Sequence, residues 1–256
     1  METEVTKSRW SRAALIGGIV AVLLLPLGAL GTRVELWSFL TGFMFLGGGA
    51  ILATIGVVVG IVGLILARKA DRPADRPGLY VGIVLSVLVL AFLMAQFNTA
   101  SSVPPIHNIS TDIADPPAFD RVVALREGAN PLDYDASAMV ELPGEPVAYG
   151  ELQLAAYPDV LTHESVVAPE QALEIAVAVL EAMGLEIVDT NPAEGRVEAT
   201  ATTFWFGFKD DMVVRIRPTA EGSEVDVRSV SRVGQSDLGA NAARIMVFLD
   251  AFSAAS

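Results

Sequence analysis

The chain has 256 residues, of which 52% are apolar, and its mean hydropathy of +0.51 is too high for an ordinary soluble protein of this length. The net charge of −13 is concentrated in residues 104–256, where nine Lys or Arg face twenty-five Asp or Glu, which argues against binding to nucleic acid. The sequence has no cysteine and only two histidines, which excludes thiolate chemistry and makes a zinc site improbable, so we predict no metal and no cofactor.

Three uncharged apolar runs at residues 13–30, 37–67 and 79–97 are each long enough to cross a hydrocarbon core as a helix. We therefore predict that residues 1–103 form a membrane anchor with three transmembrane helices. The runs contain no Asp, Glu, Lys, Arg or His, and transporters and proton relays usually need such a group at depth. This composition favours a purely anchoring role.

The flanking charges predict the orientation of the anchor. Seven Lys or Arg residues precede the first run or separate the second from the third, whereas Arg33 alone lies in the first loop. Positive residues stay in the cytoplasm, so we expect an inner (cytoplasmic) membrane protein with a cytoplasmic N-terminus and a periplasmic or otherwise extracytoplasmic C-terminal domain. The first run also fits a cleaved signal peptide, although its length favours retention.

Glycine is frequent in the second run. The triplet 47–49 predicts a kink or an interfacial first turn. Gly56 and Gly60 form a G-x-x-x-G pair, which fits either a dimerisation face or close packing against the neighbouring spans, and we favour packing. The oligomeric state is left open.

Residues 104–154 follow as a proline-rich segment, which we call the tether. Eight of the fourteen prolines lie between Pro104 and Pro158, and proline removes backbone donors and favours extended conformations. The segment also contains several isoleucines, so we expect it to pack on the globular domain rather than to behave as a free linker. We predict at most one short helix in it, near residues 119–126.

Residues 155–256 predict an extracytoplasmic α+β domain. A helix begins at Pro169 and ends at Gly184, and a second one starts near Asp237. Alternating apolar residues indicate antiparallel strands with one buried face, in the order β-α-β-β-β-β-α. We predict two layers, an antiparallel sheet with both helices on one face. The predicted strands cover residues 162–167, 185–189, 196–204, 212–217 and 223–229.

The other face of the sheet is predicted to be open and polar. It would carry Glu198, Thr200, Asp211, Arg215, Arg217, Asp226 and Arg228. One interpretation is cross-strand ion pairing on a wet surface. The other is a groove that holds an anionic or zwitterionic ligand, with the arginines as bidentate donors.

The turn at residues 231–239, SRVGQSDLG, is a second candidate for a ligand site. Ser236 or Asp237 is a good N-cap, and the amides at a helix start favour an anion. Arg244 could complete such a site or pair with Asp237 in a purely structural role. The full hypothetical ligand-binding set is Arg215, Arg217, Arg228, Arg232, Ser236, Asp237, Asn241 and Arg244.

Four aromatic residues cluster at a predicted strand-to-strand turn: Phe204, Trp205, Phe206 and Phe208. They either cap the end of the core or form a lip for a partner or a membrane. We predict no catalytic residue, because His163 lacks the neighbours of a catalytic triad and Asp210 and Asp211 point to opposite faces of a strand.

Several motifs together are similar to the domain-of-unknown-function family 1499, whose bacterial members with three predicted spans resemble most of this chain. The similar segments are residues 206–216 and 227–241 in the domain, and residues 31–43 and 103–112 beside the membrane. Many shorter members carry a cysteine in the proline-rich motif, where this chain has Pro104, Pro105, Ile106 and His107. Thiol chemistry therefore does not transfer.

The resemblance implies no agreed activity. Some plant and algal members are linked to thylakoid and photosystem assembly, which favours a binding or assembly role. We therefore expect a membrane-anchored envelope protein that binds a protein, a lipid or a small ligand through its outer domain. The alternative is an envelope enzyme that acts on a lipid or anionic substrate through the Arg/Asp groove; the sequence leaves open whether any catalysis occurs.

Overall fold

The computed structural model describes residues 7–256 and divides them into two compact units. The first unit comprises the chain up to Thr99 together with Phe204–Gly207, and the second comprises Ala100–Thr203 and Phe208–Ser256. Residues 1–6, at the predicted cytoplasmic N-terminus, lie outside the described residues.

The first unit is built from three apolar helices, α1 (Arg9–Arg33), α2 (Phe39–Lys69) and α3, which begins at Arg76 and ends at Ser101. Each is long and apolar enough to cross a membrane, which confirms the predicted three-span anchor. Ser8 and Ser38 cap the first two helices by accepting bonds from backbone N–H groups. The helix α2 runs unbroken through the glycine triplet 47–49.

Several glycines of the anchor face neighbouring helices. A Cβ on Gly56 or Gly60 would overlap the side chains of Ser86 and Ile83 on α3, and one on Gly82 would overlap the backbone of Ala14 on α1. These contacts favour the interpretation that the small residues serve close packing within the chain.

The second unit is an antiparallel sheet covered by helices. Its central strands β5 (Glu186–Asn191), β6 (Arg196–Thr202), β7 (Lys209–Pro218) and β8 (Ser223–Ser231) pair in sequence order. The outer edge of β8 pairs with β1 (Asn108–Ser110) at one end and with β4 (His163–Ser165) at the other. The helices are α4 (Tyr149–Ala156), α5 (Pro169–Ala182) and α6 (Ala240–Ala255), and β2 (Met139–Val140) and β3 (Val147–Ala148) form a separate hairpin.

One face of the sheet packs on α5 and α6 to form the apolar core. Met212, Val214 and Val227 are fully buried there against Leu180 and Phe248. Proline at the start of α5 and Gly184 with a positive φ of 79° after its end give this helix the predicted limits. The observed order from β4 to α6 confirms the predicted β-α-β-β-β-β-α fold.

The tether contains more regular structure than predicted. A 3-10 helix, Arg121–Leu125, lies where a short helix was expected, but β1, the β2–β3 hairpin and α4 were missed. The prediction of at most one short helix is therefore wrong. The physical reason is that these elements depend on distant partners: β1 pairs with β8, and Gln153 of α4 bonds both N–H and C=O of Ser110.

The glycine packing in the anchor leads to a stability prediction. Gly82→Ala should destabilise the detergent-solubilised chain by about 1–3 kcal/mol, because the new methyl group must push α3 away from the backbone of Ala14. Gly47→Ala is the matched control, since in the part of the chain that the structure describes no atom outside the adjoining backbone of its own helix lies within 4 Å of its Cβ position. It should be neutral or stabilising by up to about 1 kcal/mol through helix propensity. Equal thermal stabilities for the two variants would contradict the packing.

Candidate functional site

The sheet face opposite α5 and α6 is covered, not open. Residues 111–134 of the tether, which we call the strap, lie over it and contact the polar side chains predicted to face solvent. Glu198, Asp211 and Asp226 have no exposed surface, and Arg228 is 5% exposed. The interpretation of this face as a wet surface is therefore wrong. Strand alternation predicted the face correctly, but it carries no information about a cover supplied from distant sequence.

Asp211 on β7 is the centre of the first cluster. Arg232 donates to both of its carboxylate oxygens from Nε and Nη2 at 2.8 Å, and Thr200 Oγ1 donates to Oδ1 at 2.7 Å. Arg126 of the strap completes the set with a buried ion pair. Burial alone would raise the pKa of Asp211, but the bonds from Arg232, Thr200 and Arg126 outweigh it and hold the pKa below its ordinary value.

Asp226 on β8 is the centre of the second cluster. It accepts bonds from Arg215 Nη2 at 3.0 Å, from Arg217 Nη2 at 2.8 Å and from Thr162 Oγ1 at 2.6 Å. The same two arginines extend to carboxylates of the strap, with Arg215 Nη1 lying 2.8 Å from Asp115 Oδ2. Each guanidinium therefore joins the sheet to the strap.

The carboxylate of Glu198 on β6 binds backbone N–H groups of the strap. Its two oxygens accept from the N–H groups of Asp120 at 2.7 Å and Val122 at 2.8 Å, at the start of the 3-10 helix. Arg196 lies beside it, with Nε 3.2 Å from Oε1. A buried carboxylate that accepts backbone amides in this way fixes the path of the strap.

Among the residues that the structure describes, no carboxylate contacts the Arg228 guanidinium directly. Its Nε donates to Asn108 Oδ1 at 2.9 Å, and its Nη atoms donate to the carbonyl oxygens of Pro117 and Leu132. The guanidinium also lies over the rings of Phe119 and Tyr134, 5.4 and 5.7 Å from the centroids. Burial lowers the pKa of Arg228 to about 10, so it remains charged at neutral pH.

The turn at 231–239 is also bound to the tether. Asn130 donates to the carbonyl oxygens of Ser231 and Gly234, and the N–H of Asp237 donates to Ile106 O. Ser236 Oγ donates to Pro104 O at 3.4 Å and accepts from the Leu238 N–H at 3.2 Å.

The prediction of Ser236 or Asp237 as the N-cap of α6 is wrong, because the helix begins at Ala240 and its N-cap is Gly239. Asp237 nevertheless binds amides at the helix start. Its carboxylate accepts from the N–H groups of Gly239 and Asn241, each at 2.8 Å. Burial raises the pKa of Asp237 despite these bonds. The carboxylate therefore occupies the position that an anion would take at this helix start.

The predicted pair between Arg244 and Asp237 is wrong. Arg244 Nη2 instead lies 2.7 Å from Asp210 Oδ2, and its Nη1 donates to Asn241 Oδ1 at 2.6 Å. Because α6 starts later than predicted, Arg244 faces the sheet, where Asp210 projects on the helix side of β7. Asp210 and Asp211 do point to opposite faces, as predicted.

Arg244 also lines a shallow cavity of about 310 Å³ between α6 and the ends of α5 and β6. Thr202 and Val247 contribute to the rim. The structure thus separates the predicted ligand-binding set into two groups. Arg215, Arg217, Arg228 and Arg232 lie under the strap, whereas Ser236, Asp237, Asn241 and Arg244 lie at the start of α6.

The aromatic turn lies at the β6–β7 connection, as predicted. Phe204 is 70% and Trp205 56% exposed. Phe206 packs on Phe43 of α2 with ring centroids 5.3 Å apart. Phe208 belongs to the second unit and closes the turn by donating its N–H to Thr203 Oγ1 at 2.9 Å.

Sequence reasoning missed several residues that organise the site. Asn108, Arg126, Asn130 and Tyr149 all bridge the tether to the sheet or to the turn, and Tyr149 Oη donates to Asn108 O while accepting from its N–H. An Asn or Arg in a proline-rich segment gives no local sign of a distant partner. His163, for which catalysis was not predicted, lies in β4 with its ring 5.8 Å from that of Phe252.

These observations define a class: a membrane protein with a three-helix anchor and an α+β domain whose polar sheet face is filled by a strap from its own chain. A comparison with family models matches residues 108–252 to the protein of unknown function family DUF1499. The chain belongs to this family. A search of the curated proteins found no match.

The Asp211 cluster leads to a second stability prediction. Asp211→Asn should destabilise the full chain by about 3–5 kcal/mol in denaturant unfolding, because it leaves Arg126 and Arg232 buried beside a neutral group. Glu194→Gln is the control, since Glu194 pairs with Arg196 but is 57% exposed, and its loss should cost about 0–1 kcal/mol.

A comparison of the wild type with Asp211→Asn also tests the charge state of Asp211. The pKa of Asp211 is lower in the folded chain than its ordinary value of 3.8, so its contribution is present above that pH and is lost as the pH falls through the folded pKa. The stability difference between wild type and Asp211→Asn should shrink in acid. A difference that stays constant down to about pH 2 would show that Asp211 does not act as a charge.

Proposed function

We propose that this chain is a membrane-anchored binding or assembly protein that displays its α+β domain outside the cytoplasm and recognises a protein partner with a basic surface. The distribution of charge in the domain is the observation that carries the proposal. Of the nine Lys and Arg residues between 104 and 256, a segment that the structure describes in full, Arg121 and Lys209 are exposed and the other seven are buried or half-buried.

The carboxylates show the opposite distribution. Seventeen Asp and Glu residues of the same segment are exposed, including Glu170, Glu174 and Glu181 along α5. The domain therefore directs its cations inward and presents an almost wholly acidic surface. Such a surface attracts basic proteins over roughly a Debye length, about 8–10 Å in physiological salt, and repels phosphate-rich ligands.

The filled sheet face supports a protein partner over an enzymatic role. An anionic substrate would have to displace Asp211 or Asp226 from guanidiniums that already make charge-assisted bonds on two sides. The alternative, an envelope enzyme with an Arg/Asp groove, would require the strap to leave. A small ligand could reach Arg244 through the shallow cavity, but Asp210 and Asn241 already occupy its donors.

The proposed location is the inner (cytoplasmic) membrane, with the N-terminus in the cytoplasm. The support is the asymmetry of Lys and Arg around the three helices, of which Arg68 and Lys69 end α2. We expect alkaline phosphatase fused after Ser256 to be active in cells and a cytoplasmic reporter at the same position to be inactive. The reverse pattern would overturn the proposed orientation.

Salt dependence and charge neutralisation test the partner proposal. The full chain in nanodiscs, cross-linked to proteins of its own solubilised membranes, should capture a basic protein at about 0.05 M salt and lose it at about 0.5 M. Two variants carry the same charge change on different surfaces. One neutralises Glu170, Glu174, Glu181 and Glu186, and the other neutralises Glu141, Glu145, Glu151 and Asp159.

We expect the amount of captured partner to fall at least tenfold for one variant and to stay unchanged for the other. The first variant then locates the docking face, and the second is its matched control. Capture that is insensitive to salt, or equal for both variants and wild type, would contradict recognition through the acidic surface.

A further inference from the structure

The aromatic turn Phe204–Gly207 exposes two large rings, although other parts of the turn contact residues of α1 and α2. Phe204 and Trp205 are 70% and 56% exposed and contact each other edge to face, with centroids 5.3 Å apart. Gly207 adopts a positive φ of 70°, and a Cβ there would lie 3.1 Å from Arg33 Cα. The two rings are thus presented outward by a turn with a defined backbone.

The turn groups with the three apolar helices in the first unit. Arg33, the last residue of α1, donates from Nη1 to Phe204 O at 2.6 Å, and its guanidinium lies 5.5 Å from the centroid of the Phe204 ring. Phe206 packs on Phe43 in the first turns of α2. These contacts fix the turn at the end of α1 and the beginning of α2.

That position corresponds to a particular depth in a bilayer. Arg33 ends an apolar helix, and a charged residue at a span end places its guanidinium in the headgroup layer. Phe43 is 46% exposed and adjoins Leu40 and Met44, which are also exposed on α2 and face lipid if α2 spans the membrane. A ring that contacts Arg33 and continues this apolar surface lies at the boundary between headgroups and acyl chains.

We propose that Phe204 and Trp205 insert into the headgroup layer of the leaflet in which α1 ends and α2 begins. Trp suits this layer because its ring is apolar and its indole N–H finds polar partners there. Arg33 neutralises nearby lipid phosphates and holds the Phe204 ring by a cation–π contact. The occupant of the exposed aromatic surface is therefore the lipid surface around the chain's own anchor, independent of any protein partner.

Because the chain has no cysteine, a single introduced cysteine can be labelled at a chosen position. Trp205→Cys and Phe204→Cys in the full chain are each labelled with a nitroxide and reconstituted in phosphatidylglycerol and phosphatidylethanolamine vesicles. The measurement is the collision rate of the label with oxygen, which concentrates in lipid, relative to a water-soluble nickel chelate. We expect a ratio several-fold higher at both positions than at a solvent-exposed control.

Two control positions give the ratios of oxygen to nickel collision rates that are expected in water and in lipid. Val166→Cys lies at an 86% exposed position in the second unit and should report water, and Met44→Cys, 74% exposed on α2, should report lipid. Values at 204 and 205 between these limits support insertion. Nickel accessibility at 205 equal to that at 166 would overturn the proposal, as would shielding from both quenchers, which would indicate protein rather than lipid against the rings. Because Trp10 and Trp37 are untouched, their fluorescence reports whether each variant is folded.

Discussion

The polar face of the α+β domain is organised around three carboxylates that have no exposed surface. Removing an ionised group from water costs several kcal/mol unless it is paired and hydrogen-bonded. The strap supplies Arg126 to Asp211 and the amides of Asp120 and Val122 to Glu198. Arg215 and Arg217, which bind Asp226, also pair with Asp112 and Asp115 of the strap. The polar face of the sheet is therefore satisfied in part by groups of the strap. Residues 111–134 are thus as much a part of the domain as its strands.

This dependence explains which parts of the structure could be predicted from the sequence. The three helices of the anchor, the β4-to-α6 order and the faces of Asp210 and Asp211 follow from local periodicity, so the sequence was sufficient. The cover over the polar face was missed because the partners are far apart in sequence, as with Arg126 and Asp211. The Arg244–Asp237 pair was predicted wrongly because a shift of three residues in the start of α6 turns Arg244 towards Asp210. Helix ends are set by capping and packing that a short pattern does not resolve.

The buried pairing also shapes the surface. Since most cations of the domain are buried or half-buried, its exposed charged side chains are almost all acidic. For this member of the DUF1499 family, the candidate site is therefore better described as a structural layer whose buried polar groups pair with one another than as an open groove. We propose that recognition occurs on the acidic outer surface and that Phe204 and Trp205 contact the membrane.

Hydrogen exchange of the full chain in nanodiscs tests the central claim, that the strap is an integral layer of the fold. The N–H groups of Thr111, Asp120 and Val122, which bond Val227 O and Glu198, should exchange as slowly as the amides of β7 and β8, through global unfolding. The exposed turn at residues 219–221 provides the fast reference. Exchange of the strap amides at the rate of that turn, while the sheet stays protected, would show that the strap opens independently and would contradict the account.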